Sequence, residues 1–377
     1  MVAVCDIREG PCRAAQRLCK TLGMPEPTAY TKGEFDFKRM CATEDLDLVY
    51  TCTPWRWHVP ITLEAMTSGA HAATEIPAAI TLDECWKLVE TSESTGKHLS
   101  MMENVNYRRD ELMILQLVRK GVLGELIHGE AGYMHDTRYL KVRDYGDGLW
   151  LGAHHAERNG NLYPTHGLGP LAWNFNLGRG NRMEYLVSMS SKARGMNLYA
   201  KDHLPKDHPY RKRNYINGDV NSSLIQLANG ESIVIKHDTD LPRPYSRINL
   251  VQGTRGIVRG FPTLSVSLEN KDLSFDSEGN TKEKHYQKPR HNYRWNDGKT
   301  LYKEFDHPVC DFIEDYRLIQ ALRNGVAPDF DVYDAAAWSA VTELSEKSVA
   351  NRSQAVDFPD FTKGKWKKRT AVDLSIV

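Results

Sequence analysis

Short apolar runs alternate with amphipathic segments through the first hundred residues: "VAVCD", "CRAAQRLCKTLG", "LDLVYTCTP", "HVPITLEAMTSGA", "HAATEIP", "TLDECWKLVETSESTG" and "KHLSMMENV". That rhythm predicts strand, helix, strand, helix, and so a parallel sheet covered on both faces. A further helical segment, "RRDELMILQLVRKG", follows. The texture then changes to longer strand candidates separated by Gly and Asn turns: "LIHGEAGYMHD", "MEYLVSMSSKA", "SSLIQLANGESIVIKHDTD" and "SRINLVQGTRGIVRG". These predict one mostly antiparallel sheet. Two helical stretches, "PVCDFIEDYRLIQALRNG" and "VYDAAAWSAVTELSEKSVANR", close the pattern, and Val332, Ala335, Ala336, Val341 and Leu344 of the second form a core-facing stripe.

The expected fold class is therefore α/β followed by α+β. A Rossmann-type dinucleotide-binding domain spans residues 1–122, and an open-faced, mostly antiparallel sheet domain with helices spans residues 123–377, its C-terminal helix packing back on the first domain. Residues 265–300 are polar and weakly periodic, and read as an excursion at the edge of the second domain.

Composition narrows the partners. Lys plus Arg equals Asp plus Glu at 49 each, and neither sign forms a long block, which gives no electrostatic case for nucleic acid or an anionic membrane. The basic cluster "KGKWKKR" reads as a solvated surface segment. Cysteines 5, 12, 19, 41, 52, 85 and 310 make an odd count without a C-x-x-C pair, arguing against a disulfide framework or zinc ribbon. No run approaches the roughly 20 apolar residues of a membrane span, and no signal peptide is visible after Met1. As written, the chain is expected in the cytoplasm.

Candidate chemistry lies where strands end, because ligands of open α/β sheets sit at the strands' carboxyl ends. Asp6 ends "VAVCD", as an acidic residue accepting the adenosine ribose hydroxyls does, which favours NAD over NADP. The glycine-rich turn that should precede this strand is missing from the sequence as given, so the first βα unit is expected upstream. "TCTPWRWH" brings Trp55, Arg56, Trp57 and His58 to the cofactor, "TEIP" brings Glu75 and Ile76, and "MMENVNY" brings Asn104, with Glu75 and Asn104 facing the nicotinamide end. A metal site built from His154, His155 and His166 is the other sharp reading. Adjacent histidines point in different directions and no supporting carboxylate pattern is evident, so no metal is expected.

These residues carry a resemblance. The whole chain resembles the Gfo/Idh/MocA oxidoreductase superfamily, where E-K-P after a strand is a mark; here the lysine that polarises the substrate hydroxyl is Ile76. More narrowly, "TPWRWH", "EIPAAITLDECWKLVETSE", "GYMHD", "NLYPTHGLGP" and "DTDLPRPYSRINLVQGTRG" together are similar to glycoside hydrolase family 109, the NAD-dependent α-N-acetylgalactosaminidases. The resemblance implies a redox-neutral hydrolysis. Hydride passes from sugar C3 to NAD, the C2 proton is lost, the glycosidic oxygen leaves, water adds at C1, and the hydride returns.

Such a route needs acids and bases beside the nicotinamide rather than the carboxylate pair of ordinary glycosidases. His166 is the expected base for the C3 hydroxyl, since an imidazole titrates near neutral pH and the lysine is missing. Tyr163 lies three residues earlier, on the same side of a helical turn if a helix begins there. Tyr133 is assigned to the C2 proton and the leaving oxygen, and Tyr245, Pro164 and Thr165 to substrate contact. The implied partner is a glycan with terminal α-N-acetylgalactosamine, with a homodimer through the open sheet face. The competing readings are an NAD(P)-dependent sugar dehydrogenase and a non-catalytic truncated relative. The family also implies twin-arginine export, to the periplasm or beyond, for a chain extending upstream.

Overall fold

A computed structural model describes residues 1–269, 271–274 and 309–374. The first half alternates β1 (Ala3–Cys5), α1 (Glu9–Thr21), β2 (Thr28–Tyr30), α2 (Asp36–Thr43), β3 (Leu48–Thr51), α3 (His58–Thr67), β4 (His71–Thr74), α4 (Leu82–Thr95), β5 (Leu99–Met101) and α5 (Arg109–Arg119). Every strand pairing here is parallel, as the apolar runs require. The strands form two sheets, β1–β2 and β3–β4–β5, and no described strand joins them. The segment around β2 and α2 was not legible in the sequence, because a three-residue strand and an eight-residue helix are too short to display a period.

The second half is built on a sheet of nine described strands in the order β13-β12-β11-β10-β6-β9-β8-β7-β14. In chain order these are β6 (Leu126–Met134), β7 (Met183–Ser190), β8 (Asn221–Leu227), β9 (Ser232–Asp238), β10 (Leu250–Gly253), β11 (Gly256–Arg259), β12 (Ser265–Leu268), β13 (Lys271–Ser274) and β14 (Val356–Asp357). Only β6 and β9 pair in parallel. The helices are α6 (Leu151–Glu157), α7 (Thr165–Asn174), α8 (Gly195–His203), α9 (Val309–Arg323) and α10 (Val332–Ala350). The start of the expected edge excursion forms β12 and β13; the rest of it lies outside the described residues.

One face of the sheet grades from apolar to polar. Leu186, Ile225 and Ile233 are fully buried at one end of adjacent strands; registers then carry Ser188, Ser223 and Ile235, followed by Ser190, Asn221, His237 and, on β6, Tyr133. The side-chain period of two sets the face, and the change in residue type sets where a cavity can open.

Helix α10 ties the two halves together. Its expected stripe is buried, and so are Ser339, Ser345 and Ser348. Each of these hydroxyls accepts a backbone N–H from a different part of the molecule: Ala79 (3.4 Å), Asn161 (2.8 Å) and Ser188 (2.8 Å). A helix wedged between two layers needs such partners for its polar positions. Asp331 caps it reciprocally with Asp334, as Thr81 and Glu84 cap α4. The basic segment is on the surface but not free: Lys363 and Lys365 pair with Glu93 of α4 at 2.7 Å, and Arg369 pairs with Asp331. All seven cysteines are free thiols. No helix among the described residues is long and apolar enough to cross a membrane.

Candidate active site

The segment "NGNLYPTHGLG" is pinned before it reaches the cavity. Asn217 Nδ2 donates to the Gly160 carbonyl at 3.2 Å, Asn161 N–H is held by Ser345, and Arg158 forks onto Glu346 of α10 at 2.6 and 2.9 Å. Arg158 is thereby a clamp between this segment and α10. Helix α7 then begins at Thr165, with Pro164 at its N-cap, so Tyr163 precedes the helix rather than sharing its first turn with His166. The two rings meet regardless, edge to face at 5.3 Å.

Two glycines let α7 approach closely. A Cβ at Gly167 would stand 2.6 Å from the Gly132 nitrogen of β6, and one at Gly169 would stand 2.8 Å from Glu103 Cγ. Only hydrogen at these positions allows the helix to bring His166 against the end of β5. There His166 Nδ1 lies 2.7 Å from Oε1 of the fully buried Glu103. A carboxylate accepts only, so Nδ1 carries a proton, and in the neutral ring Nε2 is the acceptor. Glu103 Oε2 has no partner among the described residues.

Tyr133, Tyr163 and His166 form an aromatic triangle, with ring centroids 4.8, 5.4 and 5.3 Å apart. Tyr163 also stacks on Trp55 at 5.9 Å, joining the sheet to the nucleotide half. Burial pushes the Tyr133 and Tyr163 hydroxyls above the ordinary phenol range, so both are held as proton donors. Tyr133 OH lies 3.2 Å from His135 Nδ1, and burial lowers His135 towards the neutral form. Tyr245 is half exposed and meets His135 edge-on at 5.2 Å and Tyr133 at 6.1 Å.

A cavity of about 290 Å³ opens beside this triangle, between the ends of β3 and β4 and the polar end of the sheet face. Trp55, His58, Glu75, Ile76, Tyr133 and Tyr163 all line it. Burial, then the nearby Asp311 carboxylate, pushes the Glu75 carboxyl up to about 7. Both His58 ring nitrogens sit 2.7 Å from backbone carbonyls, those of Pro77 and Thr53, so His58 braces the two strand ends and has no nitrogen to spare for a cofactor.

The other expected cofactor residues are dispersed along the strand ends. Arg56 turns outward to Glu34 at 2.9 Å, and Trp57 packs edge-on against Phe35 and Phe37 at 5.3 and 6.1 Å; neither lines the cavity. The string "TPWRWH" forms a tight helical turn over Trp55–Trp57, which sends successive side chains to different sides. Asn104 Nδ2 donates to Asp311 at 2.5 Å, and its buried Oδ1 has no partner among the described residues. Asp6 ends β1 and accepts the Arg8 N–H at 2.7 Å. Thr165 is fully buried, and its hydroxyl has no partner among the described residues.

Orphaned polar atoms at the strand ends, Thr53 Oγ1 and Asn104 Oδ1, together with the apolar wall of Ile76 and Trp55, fit the amide and ring of a nicotinamide. His154 lies against Trp55 at 4.8 Å, while His155 turns to Asp240 at 3.0 Å, and no cluster of metal-ligating side chains exists among the described residues.

Sequence reasoning passed over Glu103, His135, Lys141, His237 and Asp240, and weighed His155 only as a metal ligand. Glu103 sits in "MMENVNY" and His135 in "GYMHD", so both were within reach of the same motifs. Nothing local marks Lys141, whose partners come from a strand end a hundred residues later.

Residues 1–103 match the oxidoreductase family with an NAD-binding Rossmann fold, and residues 107–368 match the glycosyl hydrolase 109 C-terminal domain. A glycosyl hydrolase family 109 protein from a Shewanella species is 47% identical over 367 residues, covering 97% of this chain and 80% of its own. Among solved structures, an NAD binding oxidoreductase from Klebsiella pneumoniae aligns with a TM-score of 0.69 at 16% identity, over 95% of this chain and 90% of the other. An oxidoreductase from Agrobacterium radiobacter, in complex with NAD+, L-tartaric acid and magnesium, aligns with a TM-score of 0.64 at 17% identity, over 94% of this chain and 90% of the other. These two likenesses concern the fold.

Proposed function

The chain belongs to glycosyl hydrolase family 109, with an NAD-binding Rossmann fold in its first part, and from that premise we propose that it hydrolyses terminal α-linked N-acetylgalactosamine by transient oxidation of the sugar at C3. The observation that carries the reading is the 2.7 Å contact of His166 with Glu103, with His166 packed against Tyr133 and Tyr163 of the cavity wall, where Ile76 stands at the position of the superfamily's lysine.

When bound at the strand ends, NAD supplies a reversible hydride acceptor at C3, which makes the C2 proton acidic. His166 Nε2 takes the C3 hydroxyl proton, and Glu103 steadies the imidazolium so formed. Tyr133 contacts C2; the proton lost there passes through its hydroxyl to neutral His135 and returns to the departing glycosidic oxygen. Water addition at C1 reverses the proton path. Tyr163 and Tyr245 orient the sugar, and Trp55 closes the cavity against water.

The test is to supply a nitrophenyl α-N-acetylgalactosaminide in deuterated water and follow sugar release, nicotinamide absorbance and the C2 position together. The expected result is release without accumulating NADH and with deuterium at C2. NADH growing in step with consumption of free sugar would instead mark a dehydrogenase, and product without C2 deuterium would overturn the elimination route. No bound NAD and no turnover would favour a non-catalytic relative.

A further inference from the structure

The cavity has a second polar end that the proposed chemistry leaves unused. Lys141, His155, His237 and Asp240 are buried there, within 2% of full enclosure, and all but Asp240 line the cavity. Lys141 Nζ donates to the Thr239 carbonyl at 2.8 Å, to the Thr239 hydroxyl at 2.7 Å and to Asp240 Oδ1. All three ammonium protons are therefore engaged. Asp240 Oδ2 faces His155 Nδ1 at 3.0 Å.

Hydrogen-bond bookkeeping fixes the two imidazoles. Burial lowers both, His237 to about 3, so each ring is neutral and carries one proton. His155 Nδ1 must donate to the carboxylate, which leaves Nε2 as an acceptor. The Thr239 hydroxyl accepts from Lys141 and still has its own proton to give to His237 Nε2, 3.5 Å away. In that arrangement His237 carries its proton on Nδ1, and that atom is buried without a partner among the described residues. An orphaned buried donor is costly unless a ligand meets it.

The two rings lie 5.9 Å apart, so one offers a donor and the other an acceptor to a single neutral group. Trp55, Trp150, Leu140 and Leu151 give the same cavity an apolar wall. A neutral group with an acceptor, a donor and a methyl is a secondary acetamide; a hydroxyl would leave the wall unfilled. Its placement follows from register: His237 stands directly opposite Tyr133 on the neighbouring strand, and Tyr133 is the residue proposed to act at C2.

We infer that His155 and His237 form a specificity subsite that recognises the 2-acetamido group of the sugar, the carbonyl accepting from His237 Nδ1 and the amide N–H donating to His155 Nε2. Lys141, Asp240 and Thr239 are positioning residues that fix the two tautomers. The inference rests on the sugar-cleaving reading for the identity of the acetamide, and the experiment separates the two.

The measurement is the ratio of kcat/KM for nitrophenyl α-N-acetylgalactosaminide over nitrophenyl α-galactoside, on the NAD-loaded full chain. In His237→Leu this ratio should fall by roughly 10-fold or more, the scale of one lost buried hydrogen bond, and His237→Asn should recover part of it. A ratio within about twofold of wild type in His237→Leu would overturn the subsite. Should the variants fail to fold, the wild type given the N-methylated acetamido glycoside answers the same question, since that substrate lacks the N–H; cleavage as fast as the parent would overturn the inference. Calorimetric binding of N-acetylgalactosamine and of galactose completes the separation. Preferential binding of the amino sugar, lost in His237→Leu without any glycoside cleavage, would sustain the subsite and sink the glycosidase reading. Cleavage of both glycosides with equal efficiency would do the reverse.

Discussion

Two histidines, one lining the cavity and one packed against its tyrosines, each face a carboxylate through Nδ1, and their settings differ in every other respect. His166 meets Glu103 with 18% of its side chain exposed, and one Glu103 oxygen has no partner among the described residues. His155 meets Asp240 in full burial, where Lys141 occupies the second carboxylate oxygen. Burial pushes Asp240 up, but His155 and Lys141 outweigh it and hold the carboxyl below the usual range. The first pair has spare capacity and access, as a group that moves protons requires. The second is neutralised on all sides, as a group that holds polarity in one direction requires. The same two residue types serve opposite ends because of what else surrounds them.

Substitution should separate the pairs by observable. His166→Asn is expected to lower turnover by roughly 10²–10⁴-fold, the range for losing a general base, while denaturant midpoint and NAD content stay close to wild type. Wild-type turnover in this variant would remove His166 from the chemistry. Asp240→Asn should act the other way round, costing about 3–5 kcal/mol of unfolding free energy because Lys141 is left as an uncompensated buried charge. If the two variants lost turnover and stability in the same proportion, the contrast would collapse.

A smaller effect probes the aromatic triangle between them. Tyr163→Phe and Tyr245→Phe should each cost about 1–3 kcal/mol in kcat/KM if a sugar hydroxyl loses its partner, with Tyr163, the more buried, at the upper end. Losses confined to melting temperature would make both packing residues.

The contrast was half legible in the sequence. The motif "NLYPTHGLGP" announced His166 and Tyr163, and a helix there was only conditional, because two glycines and Pro170 depress its propensity. Their reason is packing: Gly167 and Gly169 give α7 its contact with β6 and Glu103, a long-range fact that no local period carries. The parallel and antiparallel halves followed from apolar runs and alternation, since those periods are set by burial on both faces or on one. The Lys141 group was invisible for a different cause. Its members are brought together by the strand pairing of β6 with β9 and by the segment after it, so no local pattern marks them as one group.

The smallest effect concerns pH, and it sharpens the comparison through the carboxylates. Around His155 the single carboxylate is matched by Lys141. Around His166, Glu75 feels both Asp311 and Glu103, and with burial these raise its carboxyl to about 7. A native-state value above the ordinary 4.5 means that the folded chain binds this proton more tightly than the unfolded one. Glu75 therefore contributes no penalty below about pH 4.5, a growing penalty as pH rises to about 7, and a constant one beyond. Glu75→Gln removes the titration. Its stability relative to wild type should be level in acid and should gain on the order of 1 kcal/mol by pH 8, the full shift being damped by solvent at the cavity mouth. Because Glu111 is also raised to about 7 by burial, beside Arg247, the difference between variant and wild type is the quantity to follow, not either curve alone. A difference that stays flat from acid to pH 8 would mean that the carboxylates near His166 are neutralised as completely as Asp240, and the distinction between a mobile and a fixed imidazole would lose its electrostatic basis.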